Sequence, residues 1–189
     1  AVNEVATQLR AEIIARVEQN LRSFLAVPHQ VNQDTFNMVN LGMLNPYQLT
    51  PWESFLHHQL QLFRTVSLIG IGNEEREFIS LERMAQGEIV VLVAGKETGF
   101  DFYRYATNER RERTTVLNTL KNFDPRLRPW YKVAVQVGKP AWCDIYHHFS
   151  DKTLILNAVL PLYHPDKSLA GVLQALLRLS EIDKFLRAL

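Results

Sequence analysis

The chain has 189 residues, of which 47% are hydrophobic and 22% are charged. This length and composition predict one globular domain, or one domain with an added helix, whose core forms without metals or disulfides. Lys and Arg number 21 against 20 for Asp and Glu, and no basic stripe stands out. The charge pattern therefore excludes a typical nucleic-acid-binding protein.

The chain has one cysteine, Cys143, which excludes an internal disulfide. No stretch approaches the roughly 20 apolar residues of a membrane span, and the N-terminus lacks the layout of a signal peptide. Both ends fall inside predicted helices, so we expect the sequence to be a segment of a longer protein.

Residues 1–26 are predicted to form one amphipathic helix. Apolar side chains recur at steps of three and four along it, at Val2, Val5, Leu9, Ile13, Val17, Leu21 and Phe24. Such a helix either covers a face of the domain or pairs with a second copy of itself. Val27 and Pro28 are expected to end it, and an Asn-rich linker is expected up to about residue 48.

A second helix is predicted from the sequence Thr50-Pro51-Trp52-Glu53 to about residue 63. The spacing of Thr50 and Glu53 is that of a capping box, in which the threonine caps the helix and the glutamate reaches back. Pro51 suits the first turn, because its missing N–H would have no partner there.

The pattern then changes to short β-branched and apolar runs separated by turn residues. Strands are predicted at residues 66–71, 77–81, 88–93, 100–106, 113–120, 141–147, 154–163 and 171–179. A short helix over 130–137 interrupts them, beginning after Pro129 and ending at Gly138. We predict an α+β fold, with a central antiparallel sheet and the helices packed on one side of it.

The most informative segment is 124–132, with the sequence D-P-R-L-R-P-W-Y-K. Its two prolines hold the chain rigid. Arg128 is placed at the N-terminus of the following helix, where unpaired N–H groups and the helix dipole favour an anion. Trp130 and Tyr131 supply rigid aromatic walls with one hydrogen-bond donor each.

This segment, followed by a helix of small residues, resembles the signature of Cache domains, the extracytoplasmic sensor modules of bacterial receptors. The sequences W-C-D-I-Y at 142–146 and L-A-G-V-L at 169–173 extend the similarity, which runs from about residue 65 to the C-terminus. The resemblance implies a PAS-like antiparallel sheet with a long leading helix. It divides the chain into a stalk helix and linker at 1–48, a sensor lobe at 49–179, and a connector at 180–189 toward a second lobe or a membrane span.

The resemblance also implies a function. The chain would be the periplasmic part of an inner-membrane receptor, dimeric through its N-terminal helix and sensing a small molecule. The parent would carry a cytoplasmic output: a histidine kinase, a nucleotide cyclase or a chemoreceptor module. The domain itself would not be an enzyme, and no catalytic residue, cofactor or metal ion is expected in it.

In Cache domains the signature arginine, tryptophan and tyrosine are similar to residues that grip a ligand's carboxylate. An arginine fork suits a carboxylate because it makes two parallel hydrogen bonds. The candidate ligand-binding residues are therefore Arg128, Trp130, Tyr131, Tyr146, Arg104 and Tyr105. The structural alternative is that Arg128 pairs with Asp124 and only holds the loop, while the aromatic rings pack.

Two departures from the family pattern bear on the ligand. Leu176 stands where Cache sensors of amino acids have an aspartate for the ligand's ammonium group, and Phe123 replaces a tyrosine. A buried ammonium without a partner costs on the order of several kcal/mol. We predict that the domain does not bind α-amino acids. A simple carboxylate, another anion or no small molecule at all remains open.

Three other interpretations stay open. The first is an intracellular PAS-like or GAF-like regulatory module, and the second is a dimerisation lobe that binds no ligand. The third is a hydrolase using Asp144, Ser150 and either His147 or His148, although no G-x-S-x-G motif surrounds Ser150.

A metal site is not expected either. The histidine pairs at 57–58 and 147–148 consist of adjacent residues, whose side chains point in different directions on a helix or strand. The sequence also lacks the spacings H-E-x-x-H and C-x-x-C. We expect these histidines and His164 to be solvated or to lie at the edge of the core.

Overall fold

The computed structural model describes residues 2–148 and 151–189. Its helices are α1 (Val2–Asn40), α2 (Thr50–Leu62), α3 (Pro129–Val137) and α4 (Leu179–Arg187). Its strands are β1 (Leu68–Asn73), β2 (Phe78–Arg83), β3 (Ile89–Ala94), β4 (Phe102–Thr107), β5 (Arg113–Leu120), β6 (Ala141–Trp142), β7 (Tyr146–His147), β8 (Leu154–Tyr163) and β9 (Leu169–Arg178).

Within the described residues, the strands form a single nine-stranded sheet. Their order is β5-β4-β3-β2-β1-β9-β8-β6, and β7 also pairs with β8. Every pair is antiparallel, and the central strand β1 lies between β2 and β9. This arrangement confirms the predicted α+β fold with a central antiparallel sheet.

The central strands of the sheet are buried on both faces, whereas the edge strand β5 is exposed. On one face, here called the α1–α2 face, Ile69, Ile71 and Ile79 pack beneath α1 and α2. On the opposite face, here called the α3 face, Leu68 and Phe78 pack with α3. The prediction that all helices lie on one side is thus wrong for α3. All six residues of the central strand β1 are buried, so both of its faces must be covered.

The predicted end of the first helix at Pro28 is also wrong, since α1 continues to Asn40. Proline inside a helix costs about 3 kcal/mol. Here Pro28 is buried between Phe24 and Val31, which belong to the core. Asn32 is buried too, and its Nδ2 donates a hydrogen bond of 2.9 Å to the carbonyl of Ala158. Tertiary packing therefore extends the helix through the Asn-rich segment.

The second helix begins at Thr50 as predicted, but the capping box does not form. The residue before it, Leu49, has helical backbone angles, and no side chain caps the helix. Glu53 is instead bound to Arg113 on β5, with 2.5 Å between Oε2 and Nη2. Trp52 is fully buried and donates its indole N–H to the carbonyl of Asn45 at 2.9 Å.

The first half of α1 extends away from the sheet. Residues 2–16 are all exposed, and the first residue of the helix in the core is Phe24. The predicted apolar stripe is real, but its first members are open to solvent: Val5 is 66% exposed and Leu9 is 55% exposed. In the parts of the chain that the structure describes, no helix combines the length and apolar character needed to cross a membrane.

Candidate functional site

The signature segment begins with a tight turn held by Asp124. The carboxylate accepts hydrogen bonds from the backbone N–H of Arg126 at 3.0 Å and from its guanidinium at 2.8 and 3.0 Å. These hydrogen bonds and, to a smaller extent, the charge of Arg126 lower the pKa of Asp124, although burial opposes the shift. Arg126 therefore binds Asp124 and holds this loop.

Helix α3 starts at Pro129, with Arg128 as the residue that precedes it, and ends at Gly138 in the left-handed conformation. Trp130 is buried against Phe78, at 6.3 Å between ring centres. It approaches β1 closely because Gly72 has no side chain there. A Cβ on Gly72 would lie 2.9 Å from the Trp130 ring and 2.8 Å from Pro125.

The Tyr131 ring contacts the Trp130 ring edge to face, with 5.4 Å between ring centres. Its hydroxyl donates a hydrogen bond of 2.5 Å to Glu74 in the turn that follows β1. Burial and then this bond to a carboxylate raise its pKa. Tyr131 thus ties α3 to the sheet and lies outside the cavity described next.

Beneath the start of α3 lies a small, partly open cavity of about 20 Å³ on the α3 face of the sheet. Such a volume holds about one water molecule. It is lined by Leu68, Phe78, Phe123, Arg128, Pro129, Trp130, Tyr146, His148, Gln174 and Leu176. The wall combines a guanidinium, a phenol, an imidazole and an amide with apolar groups.

Tyr146 is held on the short strand β7 and faces Arg128 across this cavity wall. Burial raises the pKa of Tyr146 to about 12, while the nearby charge of Arg128 acts in the opposite direction. The phenol is therefore neutral at physiological pH. Next to a guanidinium, a neutral phenol can act as a second hydrogen-bond donor to an anion.

A line of buried polar side chains crosses the sheet behind Tyr146. Asn157 on β8 donates from Nδ2 to Gln174 Oε1 at 2.8 Å and to the Tyr146 hydroxyl oxygen at 3.3 Å. Gln174 on β9 then donates from Nε2 to Ser80 Oγ on β2 at 3.2 Å. We call these four residues the amide ladder. Sequence reasoning missed it, because only the register of the four strands β2, β1, β9 and β8 brings these side chains together.

A second polar group, which we call the charge cluster, lies at the other side of His148. Glu82 is fully buried and bonds to Arg104 at 3.3 Å and to Arg178. Arg178 also binds Asp151 at 2.7 Å. The Nδ1 atom of His148 lies 3.4 Å from Asp151 and 3.9 Å from Glu82. Two carboxylates and two guanidiniums balance one another in this cluster.

The cluster shifts the pKa values of its members. Burial lowers the pKa of His148 to about 4; Asp151 opposes this shift, whereas Arg178 and Arg104 reinforce it. Burial alone would raise the pKa of Asp151, but hydrogen bonds from Thr153 and the charge of Arg178 lower it to about 2. Burial raises the pKa of Glu82 despite the two arginines. His148 is thus neutral at physiological pH.

The same cluster is the place where the described residues could hold a metal ion. Ligand atoms of Glu82, His148 and Asp151 lie within 4.8 Å of one another. However, Arg104 and Arg178 already occupy both carboxylates and would repel a cation. The cluster is better suited to structure than to coordination. His148 is buried, which corrects the expectation that it would be solvated or at the core edge.

The structure describes only part of the group named in the hydrolase interpretation. Ser150 lies outside the described residues, and the described partner His148 belongs to the charge cluster.

Cys143 is buried, and burial followed by the charge of Asp144 raises the pKa of its thiol to about 12. Its thiol is therefore protonated at neutral pH and is a weak nucleophile.

Three of the six predicted site residues, Arg128, Trp130 and Tyr146, line the same cavity. The others lie elsewhere. Tyr131 binds Glu74, and Arg104 belongs to the charge cluster. Tyr105 lies on the α1–α2 face, stacked on Tyr103 at 5.9 Å between ring centres. Adjacent residues of β4 point to opposite faces, which separates Tyr105 from Arg104.

Both positions that depart from the Cache pattern, Phe123 and Leu176, line the cavity, as the resemblance implied. Sequence reasoning missed His148 and Gln174 as wall residues. Sequence reasoning considered His148 only for the hydrolase and metal interpretations and assigned no role to Gln174. The alternation of β9 was the available signal, since Gln174 and Leu176 are two residues apart on one face.

No family model and no curated protein matches the sequence. Solved structures do match it. The ligand-binding domain of Mlp24 with asparagine has a TM-score of 0.56 and 19% identity, and the alignment covers 97% of this chain and 62% of that chain.

Two further matches come from named organisms. The ligand-binding domain of the amino acid chemoreceptor PctC from Pseudomonas aeruginosa PAO1, in complex with GABA, has a TM-score of 0.57 and 18% identity, with coverage of 96% and 68%. The ligand-binding domain of the Campylobacter jejuni chemoreceptor Tlp3, with L-valine, has a TM-score of 0.61 and 10% identity, with coverage of 97% and 64%.

The chain thus spans about two thirds of the length of these domains, and at such low identity the similarity shows the fold alone. The match confirms the Cache resemblance at the level of the fold: over nearly its whole length, the chain is folded like the ligand-binding domains of bacterial chemoreceptors.

Proposed function

We propose that this chain is the extracytoplasmic sensing domain of a bacterial membrane receptor, and that it binds a small carboxylate or similar anion. The observation that carries the proposal is that Arg128 and Tyr146 line one small cavity between α3 and the sheet. The fold shared with ligand-binding domains of chemoreceptors supports it.

The chemistry of the wall favours an anion. Arg128 is the charged member of the wall at neutral pH, because Tyr146 and His148 are both neutral. A guanidinium with a neighbouring phenol offers the donors that a carboxylate accepts. Apolar side chains such as Leu68 and Phe78 surround these groups and would contact a short hydrocarbon tail.

The same wall argues against an α-amino acid. Among the described residues that line the cavity, none carries a carboxylate, and Leu176 stands at the position expected for one. A ligand's ammonium group would be buried without a partner, at a cost on the order of several kcal/mol. The matched domains hold asparagine, L-valine or GABA, so this chain would differ from them in ligand.

A cavity of about 20 Å³ is smaller than any carboxylate with a tail. Binding would therefore require α3 and the sheet to separate, so the ligand would select an open arrangement over this closed one. Because α4 follows β9 directly, a change in the sheet could reach the C-terminal connector at 180–189. Such unequal binding to two arrangements is what a sensor needs.

The parent protein would be anchored in the inner membrane, with this part in the periplasm. The matched structures favour a chemoreceptor output over a histidine kinase or a nucleotide cyclase. The first half of α1 would serve as a stalk, and its exposed apolar stripe would pair with a second copy. That exposed stripe also favours a second candidate function, a dimerisation lobe that binds no ligand.

Ligand-induced thermal stabilisation separates the two candidates. We expect acetate or propionate to raise the melting temperature, while L-amino acids at equal concentration do not. In Arg128→Ala the affinity should fall by at least about tenfold, because hydrogen bonds to a charged group are lost. Arg126→Ala is the matched control: it should lower the melting temperature by breaking the bonds to Asp124, yet keep the response to the acid.

An unchanged response in Arg128→Ala would refute the assigned site. Stabilisation by several L-amino acids would refute the proposed ligand class. No response to any acid, together with a dimer in solution, would favour the dimerisation lobe.

A further inference from the structure

The amide ladder is buried on the α3 face of the sheet, next to the charge cluster. Ser80 and Asn157 are fully buried, and Gln174 is 4% exposed. Buried polar groups lower the stability of a fold unless they are hydrogen-bonded. The presence of four linked polar side chains at this depth therefore needs an explanation. Gly70 makes the ladder possible, because a Cβ at this position would lie 1.8 Å from Ser80 Oγ.

The donors and acceptors give the ladder a direction. Asn157 has two N–H hydrogens, and both have acceptors: Gln174 Oε1 and the Tyr146 oxygen. Gln174 then donates onward to Ser80. The Oδ1 atom of Asn157 is buried and has no hydrogen-bond partner. The side-chain amide of Asn157 thus donates two hydrogen bonds and accepts none.

This direction determines what Tyr146 can do. The Tyr146 oxygen already accepts from Asn157, so its own O–H has to donate to another group. The ring lines the cavity beside Arg128. An anion placed there would receive hydrogen bonds from both side chains.

We propose that Asn157 is a positioning residue that makes Tyr146 a hydrogen-bond donor toward the cavity, and that this arrangement selects carboxylates over neutral carboxamides of the same shape. The inference rests on the proposed function, since it assumes that small acids bind beside Arg128. A carboxamide fits poorly because its NH₂ group would face donors, and its uncharged oxygen accepts weaker bonds.

The wild-type test compares acids with their amides. Isothermal titration of the whole 189-residue chain with acetate, propionate, acetamide and propionamide at pH 7.5 should show the acids binding at least about tenfold more tightly. Equal affinity for propionate and propionamide would overturn the inference.

Variants at Asn157 test the direction of the ladder. In Asn157→Asp the carboxylate accepts from Tyr146 and turns its O–H away from the cavity, so acid affinity should fall about tenfold or more. In Asn157→Leu the position offers neither donor nor acceptor, so the Tyr146 hydroxyl is no longer oriented, and acid affinity should fall by about threefold, less than in Asn157→Asp. If both variants bind propionate as tightly as wild type does, the inference is wrong.

A double-mutant cycle with Tyr146→Phe separates two effects of Asn157→Asp on affinity: the effect through the Tyr146 hydroxyl and the direct effect of the added carboxylate. Tyr146→Phe alone should weaken propionate about tenfold and reduce the preference for acid over amide. Adding Asn157→Asp should then cost much less than it does in wild type, because the positioning acts through the Tyr146 hydroxyl. A purely structural role of Asn157 would give additive losses and an unchanged acid-to-amide ratio.

The two levels of the proposal fail differently. If propionate binds wild type and not Arg128→Ala, but binds Tyr146→Phe and Asn157→Asp as tightly as wild type, the proposed function stands and this inference falls. If no acid on the panel binds wild type, both fall. Should Asn157→Asp not fold, the acid-to-amide ratio of Tyr146→Phe decides the question.

Discussion

At the scale of the residue, His148 shows how burial can outweigh a favourable neighbour. Its ring lies next to two carboxylates, which would normally raise its pKa. Those carboxylates are already neutralised by Arg104 and Arg178, and burial lowers the pKa to about 4. The folded protein therefore takes up a proton at His148 less readily than the unfolded chain does.

The sign of the pH effect follows from this difference. Since the folded pKa is below the unfolded value near 6.5, the unfolded chain binds more protons as the pH falls, and His148 destabilises the fold. The loss begins near pH 6.5, continues to pH 4, and amounts to about 2 kcal/mol by pH 5.

Urea unfolding of wild type and His148→Gln at pH 7 and pH 5 would measure this effect. Glu82, whose raised pKa acts in the opposite direction, is present in both proteins, so the difference between them isolates His148. We expect wild type to lose about 2 kcal/mol more than the variant. Equal losses would show that His148 is not held neutral.

At the scale of the element, strand β1 is shaped by its two glycines. Gly72 admits Pro125 and Trp130 from the signature segment, and Gly70 admits Ser80 from β2. The central strand thus has a smooth α3 face, over which the ladder and α3 can pack. The G-I-G sequence at 70–72 is a packing feature and does not form a phosphate-binding loop.

Gly70→Ala should strongly destabilise the fold. The new Cβ would lie 2.4 Å from the carbonyl oxygen of Ile79, which is backbone and cannot turn aside. Overpacking of this kind costs about 1–3 kcal/mol or more. Gly95→Ala is the matched control, because its Cβ would meet only the side chain of Glu77 at 3.3 Å.

Chemical denaturation of Gly70→Ala and Gly95→Ala would measure the free energy of unfolding of each variant. We expect Gly95→Ala to remain within about 0.5 kcal/mol of wild type. If Gly70→Ala is equally stable, the close approach of β1 and β2 is not what the structure indicates.

At the scale of the whole molecule, the half of α1 that extends from the sheet is unusual in its exposure. Leu9 and Ile13 are 55% and 44% exposed, although they belong to a regular apolar stripe. An apolar stripe on one helix is stabilised when it meets another such stripe. The proposed homodimer would supply that contact.

Sedimentation equilibrium would test the dimer. We expect wild type to self-associate and the double variant Leu9→Glu with Ile13→Glu to be monomeric, because charges replace the apolar contact. Ile14→Glu is the control: Ile14 is 65% exposed but lies about 100° around the helix from Ile13. It should dimerise like wild type, with an unchanged melting temperature. A monomeric wild type at hundreds of micromolar would refute the proposed dimer.

The amino-acid sequence by itself determined the elements whose signals are local. Alternating apolar residues predicted each main strand to within about three residues of its observed ends, and Pro129 and Gly138 predicted the limits of α3. The Cache resemblance also predicted Arg128, Trp130 and Tyr146 as members of one site, and these three residues line one cavity. In these cases side-chain periodicity and backbone restrictions act over a few residues, so neighbours in sequence carry the information.

The tertiary structure decided what depends on distant partners. It extended α1 through Pro28, because burial against the sheet outweighs the local cost of proline. It turned Tyr131 toward Glu74, and it joined Ser80, Gln174, Asn157 and Tyr146 into a ladder through strand register. The free energy of these contacts comes from residues up to 126 positions apart, and no local pattern encodes which of them will meet.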